Sequence, residues 1–154
     1  MTPETQKEKS ESGYDITPID AVTRERLAQD LDSEAYHVLL EHGTEAPFCG
    51  NLTDNKQEGI YACKLCGLPL FSSDSKFNSG TGWASFYQPF DQDHLKLYRD
   101  TKFGMIRIEI RCARCDGHQG HVFPDGPPPT GERYCLNSAS LDFFPEGEKI
   151  PQKA

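Results

Sequence analysis

Residues 104–120 read GMIRIEIRCARCDGHQG, and the fold turns on how this stretch divides. Its first half carries Met105, Ile106, Ile108 and Ile110, the clearest β-type apolar run in the chain. Its second half sets Cys112 and Cys115 two residues apart, with Gly117 following to relieve crowding in a tight turn. A matching pair, Cys63 and Cys66, followed directly by Gly67, stands in YACKLCGLPL at residues 61–70. A C-x-x-C turn aims two thiolates at one point, and two such turns complete the tetrahedral sulfur shell that zinc prefers. Four protein ligands leave no open position. Cys63, Cys66, Cys112 and Cys115 are therefore expected to hold a structural zinc that pins two halves of a β domain together. A thioredoxin-type redox pair would need a βαβ context that is not evident here, and buried free thiols would need no matched spacing.

Outward from this stretch, GIYAC, PLFSS and RYCLNSASLDFF are the other strand candidates. NSGTGWASF and FPDGPPPTGE, rich in Gly and Pro, are expected to be loops. Two short helices are expected before them. The first is TPIDAVTRERLAQ, with Thr17 as cap, Pro18 at the first helical position, and Ile19, Val22 and Leu27 on one side. The second is DSEAYHVLLEHG, capped by Asp32 or Ser33, with Tyr36, Leu39 and Leu40 as its apolar stripe and Gly43 just past its end. The fold class expected is mainly β, antiparallel, with short N-terminal helices. Residues 1–14 are too polar to pack and are expected to form a mobile tail, leaving one domain over residues 15–154.

The composition excludes several functions. Thirteen Gly and eleven Pro beside 36% hydrophobic residues argue against a helical bundle. A net charge of -8, without a basic cluster interleaved with aromatics, argues against nucleic acid and against anionic membranes as partners. The N-terminal stretch has no apolar segment and no later run is long enough to span a bilayer, so the cytoplasm is the expected location and a monomer the default state.

One cysteine stands apart, in GERYCLNSAS at residues 131–140. On a strand, alternation puts Arg133, Cys135 and Asn137 on one face and Tyr134, Leu136 and Ser138 on the other. Cys135 then looks out between a cation and an amide, an environment expected to stabilise a thiolate. The plainer reading is a small buried hydrophobe. Upstream, His118 and His121 lead into a loop that carries Asp125 and returns the chain to Cys135; near a nucleophilic thiol such histidines serve as proton donors or hydrogen-bond partners, whereas singly each is more often a surface or core residue. Trp83, the only tryptophan, lies on a Gly-flanked segment where it is either core or the wall of an apolar pocket.

Taken together, SGTGWASF, HVFPDGPPPTGERYCLNSASL and the two C-x-x-C pairs resemble the B-type methionine-R-sulfoxide reductases, from about residue 33 to about residue 144. The resemblance implies two antiparallel β-sheets with short N-terminal helices, a structural zinc as in many members, and thioredoxin-recycled reduction of the R epimer of methionine sulfoxide, protein-bound and free. It implies Cys135 as nucleophile, His121 and His118 as the histidines that assist protonation of the sulfoxide oxygen, and Asn137 as organiser of the site. Arg133 and Asp125 match bordering polar residues, and Trp83 matches the indole that receives the ε-methyl group. Two positions depart from the family. Thr81 stands where many members carry the resolving cysteine, so Cys49 becomes the candidate, as in members with one on the N-terminal side of the domain. Ala84 stands where Pro is usual. The competing expectation is a non-catalytic zinc-bound β module that binds a protein or small ligand through a Trp83-walled pocket.

Overall fold

The computed structural model describes residues 8–151 and residue 153. Among the described residues, two helices precede nine strands. Helix α1 (Ala21–Ala28) is capped by Asp20, whose carboxylate accepts from the Thr23 amide at 2.7 Å. The expected cap, Thr17, lies outside the helix, because Ile19 donates its amide to the Arg114 carbonyl and keeps the preceding residues extended. Val22 is 80% exposed and does not belong to the packed face. Helix α2 (Ser33–Glu41) is capped by Asp32 and closes on His42, a left-handed residue with φ 59°. Gly43 then returns its amide to the His37 carbonyl.

Strands β1 (Gly59–Cys63), β2 (Pro69–Ser72) and β9 (Leu141–Pro145) form a three-stranded sheet in the order β2-β1-β9. The larger sheet runs β3 (Lys76–Phe77), β4 (Ala84–Phe86), β8 (Arg133–Leu136), β7 (His118–Phe123), β6 (Arg107–Cys112), β5 (Leu95–Asp100). Every pairing is antiparallel. Tyr61 and Phe71 of the small sheet meet Phe86 and Tyr134 of the large one, with ring centroids 4.6 to 5.7 Å apart, and this aromatic cluster binds the two sheets.

Four expectations need correction. RYCLNSASLDFF is two strands in different sheets, joined by a 3-10 turn at Ser138–Ser140 that the small, buried Ser138, Ala139 and Ser140 allow. The apolar run enters its strand only at Arg107, leaving Met105 and Ile106 exposed. Ala84, expected in a loop, opens β4, a first strand position that would also tolerate proline. Residues 8–14, expected to be a mobile tail, are docked. Ser10 is 5% exposed and hydrogen-bonds His94 Nε2 at 2.8 Å, and Tyr14 packs edge-on against Phe90 and His94. Residues 1–7 of that expected tail lie outside the described residues.

Candidate active site

The two C-x-x-C pairs fold into the same turn. Gly67 donates to the Cys63 carbonyl with φ 85°, and Asp116 donates to the Cys112 carbonyl with φ 60°. The left-handed position in the second turn thus falls on Asp116 rather than Gly117. The first turn follows β1 and the second joins β6 to β7, so each sheet contributes one pair. The four sulfurs lie within 4.8 Å of one another, Cys63 to Cys115 and Cys66 to Cys112 both at 3.5 Å, and all four residues are buried. A metal with Zn–S bonds of 2.3 Å would set tetrahedral sulfur contacts at about 3.8 Å, so the cluster fits one. Gln119 points a side-chain N–H at Cys63 Sγ over 3.3 Å, as outer partners of metal thiolates do.

Strand β8 places the lone cysteine at the centre of the large sheet. Cys135 lies opposite His121 of β7 on one side and Ser85 of β4 on the other. Tyr134 and Leu136 turn into the core, whereas Arg133, Cys135 and Asn137 line a cavity of about 230 Å³, as alternation requires. A Cβ at Gly120 would run into the Cys135 carbonyl, so this glycine lets β7 approach β8 closely enough to bring His121 beside the thiol.

Trp83 and His121 share the cavity wall with Cys135. The Trp83 indole N–H donates to the Glu45 carbonyl at 3.1 Å, which fixes the ring. Asn137 is buried with both ends of its amide engaged. It accepts from the Glu45 amide at 3.1 Å and donates to the Gln119 carbonyl at 3.1 Å, tying the loop after α2 to β7. His121 Nε2 meets Asp100 Oδ2 at 2.9 Å. That contact and the Lys102 amide hold the Asp100 carboxyl down at about 2. Burial lowers His121, and Asp100 pulls it back up.

Three expected site residues fall elsewhere. Asp125 is exposed and off the cavity wall, and it holds the Arg133 guanidinium at 2.9 and 3.2 Å while that group stacks on the Phe123 ring. His118 is buried behind His121, its ring edge-on to it at 5.5 Å, and does not line the cavity. Cys49 is exposed on the loop after α2 and lines a different depression, with Asn51 and Ser138. The expected thiolate is also corrected. Burial pushes the Cys135 thiol up, outweighing the opposing pull of Arg133 and of the Thr81 hydroxyl.

Sequence reasoning missed Thr44, Arg107 and Phe123 on the wall, and Asp100, Glu109 and His42 behind it. The alternation of Arg107, Glu109 and Arg111 with isoleucines is the signal that could have marked one polar sheet face.

Among the described residues, no helix is long and apolar enough to cross a membrane. The SelR domain family model matches residues 31–145. A Caulobacter vibrioides protein named peptide methionine sulfoxide reductase MsrB is 60% identical over 142 residues, covering 92% of this chain and 89% of its own. Proteins of the same name from Xylella fastidiosa and Thioalkalivibrio sulfidiphilus are 57% identical over 140 residues and 59% over 122, covering 91% and 79% of this chain and 90% and 89% of theirs. With the family model spanning most of the chain and relatives this similar along its length, the chain belongs to the SelR-domain family, the B-type methionine sulfoxide reductases.

Proposed function

We propose that the protein reduces methionine R-sulfoxide, in oxidised proteins or peptides, to methionine. The observation that carries this reading is the convergence of Cys135, His121 and Trp83 on one small cavity. Trp83 offers an apolar face for the ε-methyl group, and Arg133 and Asn137 add polar groups to the lining. The Cys135 sulfur attacks the sulfoxide sulfur while a proton goes to the departing oxygen, because oxide cannot leave. His121 is the donor, since it rather than His118 reaches the cavity, and Asp100 stabilises its charged form. The oxygen released as water then attacks the Cys135 sulfur, the transient sulfur–sulfur bond breaks with its electron pair going to methionine, a proton is lost, and Cys135 is left as a sulfenic acid.

That sulfenic acid condenses with the Cys49 thiol, releasing water and forming a disulfide that the dithiol of thioredoxin reopens. Cys49 is the only exposed cysteine, and its loop already contributes Thr44 and the Glu45 carbonyl to the site. The same loop must move for the two sulfurs to meet, because Cys49 lies off the Cys135 cavity. Zinc is the metal that suits the four buried sulfurs, and it serves as a structural cross-link.

The deciding experiment is turnover of each sulfoxide epimer with thioredoxin as reductant. Consumption of the R epimer alone is expected, and consumption of neither by metal-replete protein would leave the family likeness without its activity. Cys49→Ser should keep turnover with a small dithiol and lose most of it with thioredoxin. Full thioredoxin-supported turnover in that variant would remove Cys49 from the cycle.

The Asp100–His121 pair also predicts a pH effect. Asp100→Asn removes the carboxylate that pulls His121 up, so burial lowers the histidine further and less of it is protonated at neutral pH. The alkaline limb of kcat/KM should move to lower pH, with about a tenfold loss at pH 7 for each unit of displacement. An unmoved limb would mean that another group supplies the proton.

A further inference from the structure

His118 sits behind the cavity wall, and its surroundings fix it in one state. Its Nδ1 lies 2.7 Å from Glu109 Oε2, and His42 Nδ1 meets the same oxygen at 2.9 Å. The other oxygen, Oε1, accepts from Arg111 Nη2 at 3.0 Å. Glu109 is 6% exposed and His118 2%, while His118 Nε2 has no hydrogen-bond partner among the described residues. These contacts hold the Glu109 carboxyl, despite its burial, down at about 2. An ionised carboxylate only accepts, so both imidazoles must present Nδ1–H to it. Burial likewise pushes His118 down to about 4, with Glu109 opposing and the nearby His121 and His42 adding to the fall.

Resting on the reading of His121 as proton donor, we propose that Glu109, clamped by His42 and Arg111, is a positioning residue that locks His118 as the Nδ1–H tautomer. Its Nε2 is then the unprotonated nitrogen of the ring. A second imidazolium 5.5 Å from His121 would repel the charge that His121 must carry. The locked tautomer supplies the ring without that charge. His42 adds a link to the backbone, since it is the left-handed residue that ends α2 and begins the loop to Thr44 and Cys49. His42, Glu109 and His118 are also close enough to share a cation, but the Arg111 guanidinium on the second carboxylate oxygen opposes one.

The test is 15N-detected NMR of imidazole-labelled, metal-replete protein at pH 7, which reads the tautomer without turnover. Neutral His118 with its proton on Nδ1 is expected. Nε2-protonated or charged His118, or a second bound metal equivalent at Nδ1, would overturn the proposal. Glu109→Gln, whose amide can also donate, should mix the tautomers and lower kcat about tenfold with KM changed less than twofold. An unchanged tautomer and rate in Glu109→Gln would overturn it too. His42→Asn keeps a donor at the Nδ1 position and suits a left-handed backbone, so it should restore what His42→Ala loses. Equal losses in the two variants would remove His42 from the clamp. If the wild type reduces neither epimer while His118 still shows Nδ1–H, the sulfoxide reading fails and the tautomer assignment stands.

Discussion

Cys135→Ser should abolish sulfoxide reduction, by at least about a thousandfold in kcat/KM, with any reductant. A hydroxyl fills nearly the same volume, so the cavity formed with His121 and Trp83 should persist and the melting temperature should stay close to wild type. What disappears is a nucleophile that can accept oxygen and later give it up as water. The distinction from Cys49→Ser matters, because that variant is expected to fail only at recycling. Assaying both with thioredoxin and with a small dithiol separates chemistry from regeneration. Substantial dithiol-supported turnover by Cys135→Ser would move the reacting sulfur elsewhere. The raised thiol adds a second readout: alkylation of Cys135 should quicken as pH rises through and beyond neutrality.

Removal of metal with a strong chelator should cost stability in one cooperative step. The first cysteine pair belongs to the three-stranded sheet and the second to the six-stranded one, so a metal bound there would span a junction that the aromatic cluster also packs. Structural zinc sites carry an apparent binding free energy of about 10–16 kcal/mol in small peptides. A loss of even about 5 kcal/mol would lower the melting temperature of a protein this size by about 10–20 °C. Cys115→Ser should move it in the same direction. Unchanged melting of metal-free protein, or less than one equivalent of metal in the protein as purified, would contradict the structural role.

The parts of the molecule legible in the sequence are those fixed locally. Four cysteines in matched turns, the Asp32 cap and the in-and-out alternation of Arg133 to Leu136 each depend on residues within a few positions. Strand β7 was not legible, because it opens with His118, Gln119, Gly120 and His121, none of them a strong strand former. Its place follows from the close approach to β8 that Gly120 permits, which shows only once the two strands are paired. The far wall of the cavity, with Arg107 and Phe123, and the Asp100 and Glu109 carboxylates behind the histidines come from tertiary packing. The direction of the Cys135 shift is hidden from the sequence for the same reason: Arg133 stands two residues away, but burial decides the balance. Residues 8–14 are polar in composition, yet Ser10 and Tyr14 find a ready-made partner in the buried His94.

Strand β1 pairs with β9 along its whole length, from Gly59 opposite Pro145 to Cys63 opposite Leu141. During synthesis on the ribosome the chain emerges from its N-terminus, so the small sheet cannot close until residue 145 has cleared the exit tunnel. Until then Cys63 lacks its neighbour in β9, although Cys66, Cys112 and Cys115 have already been made. A truncation just short of β9 should therefore leave β1, and with it the Cys63 end of the cluster, without the strand that borders it.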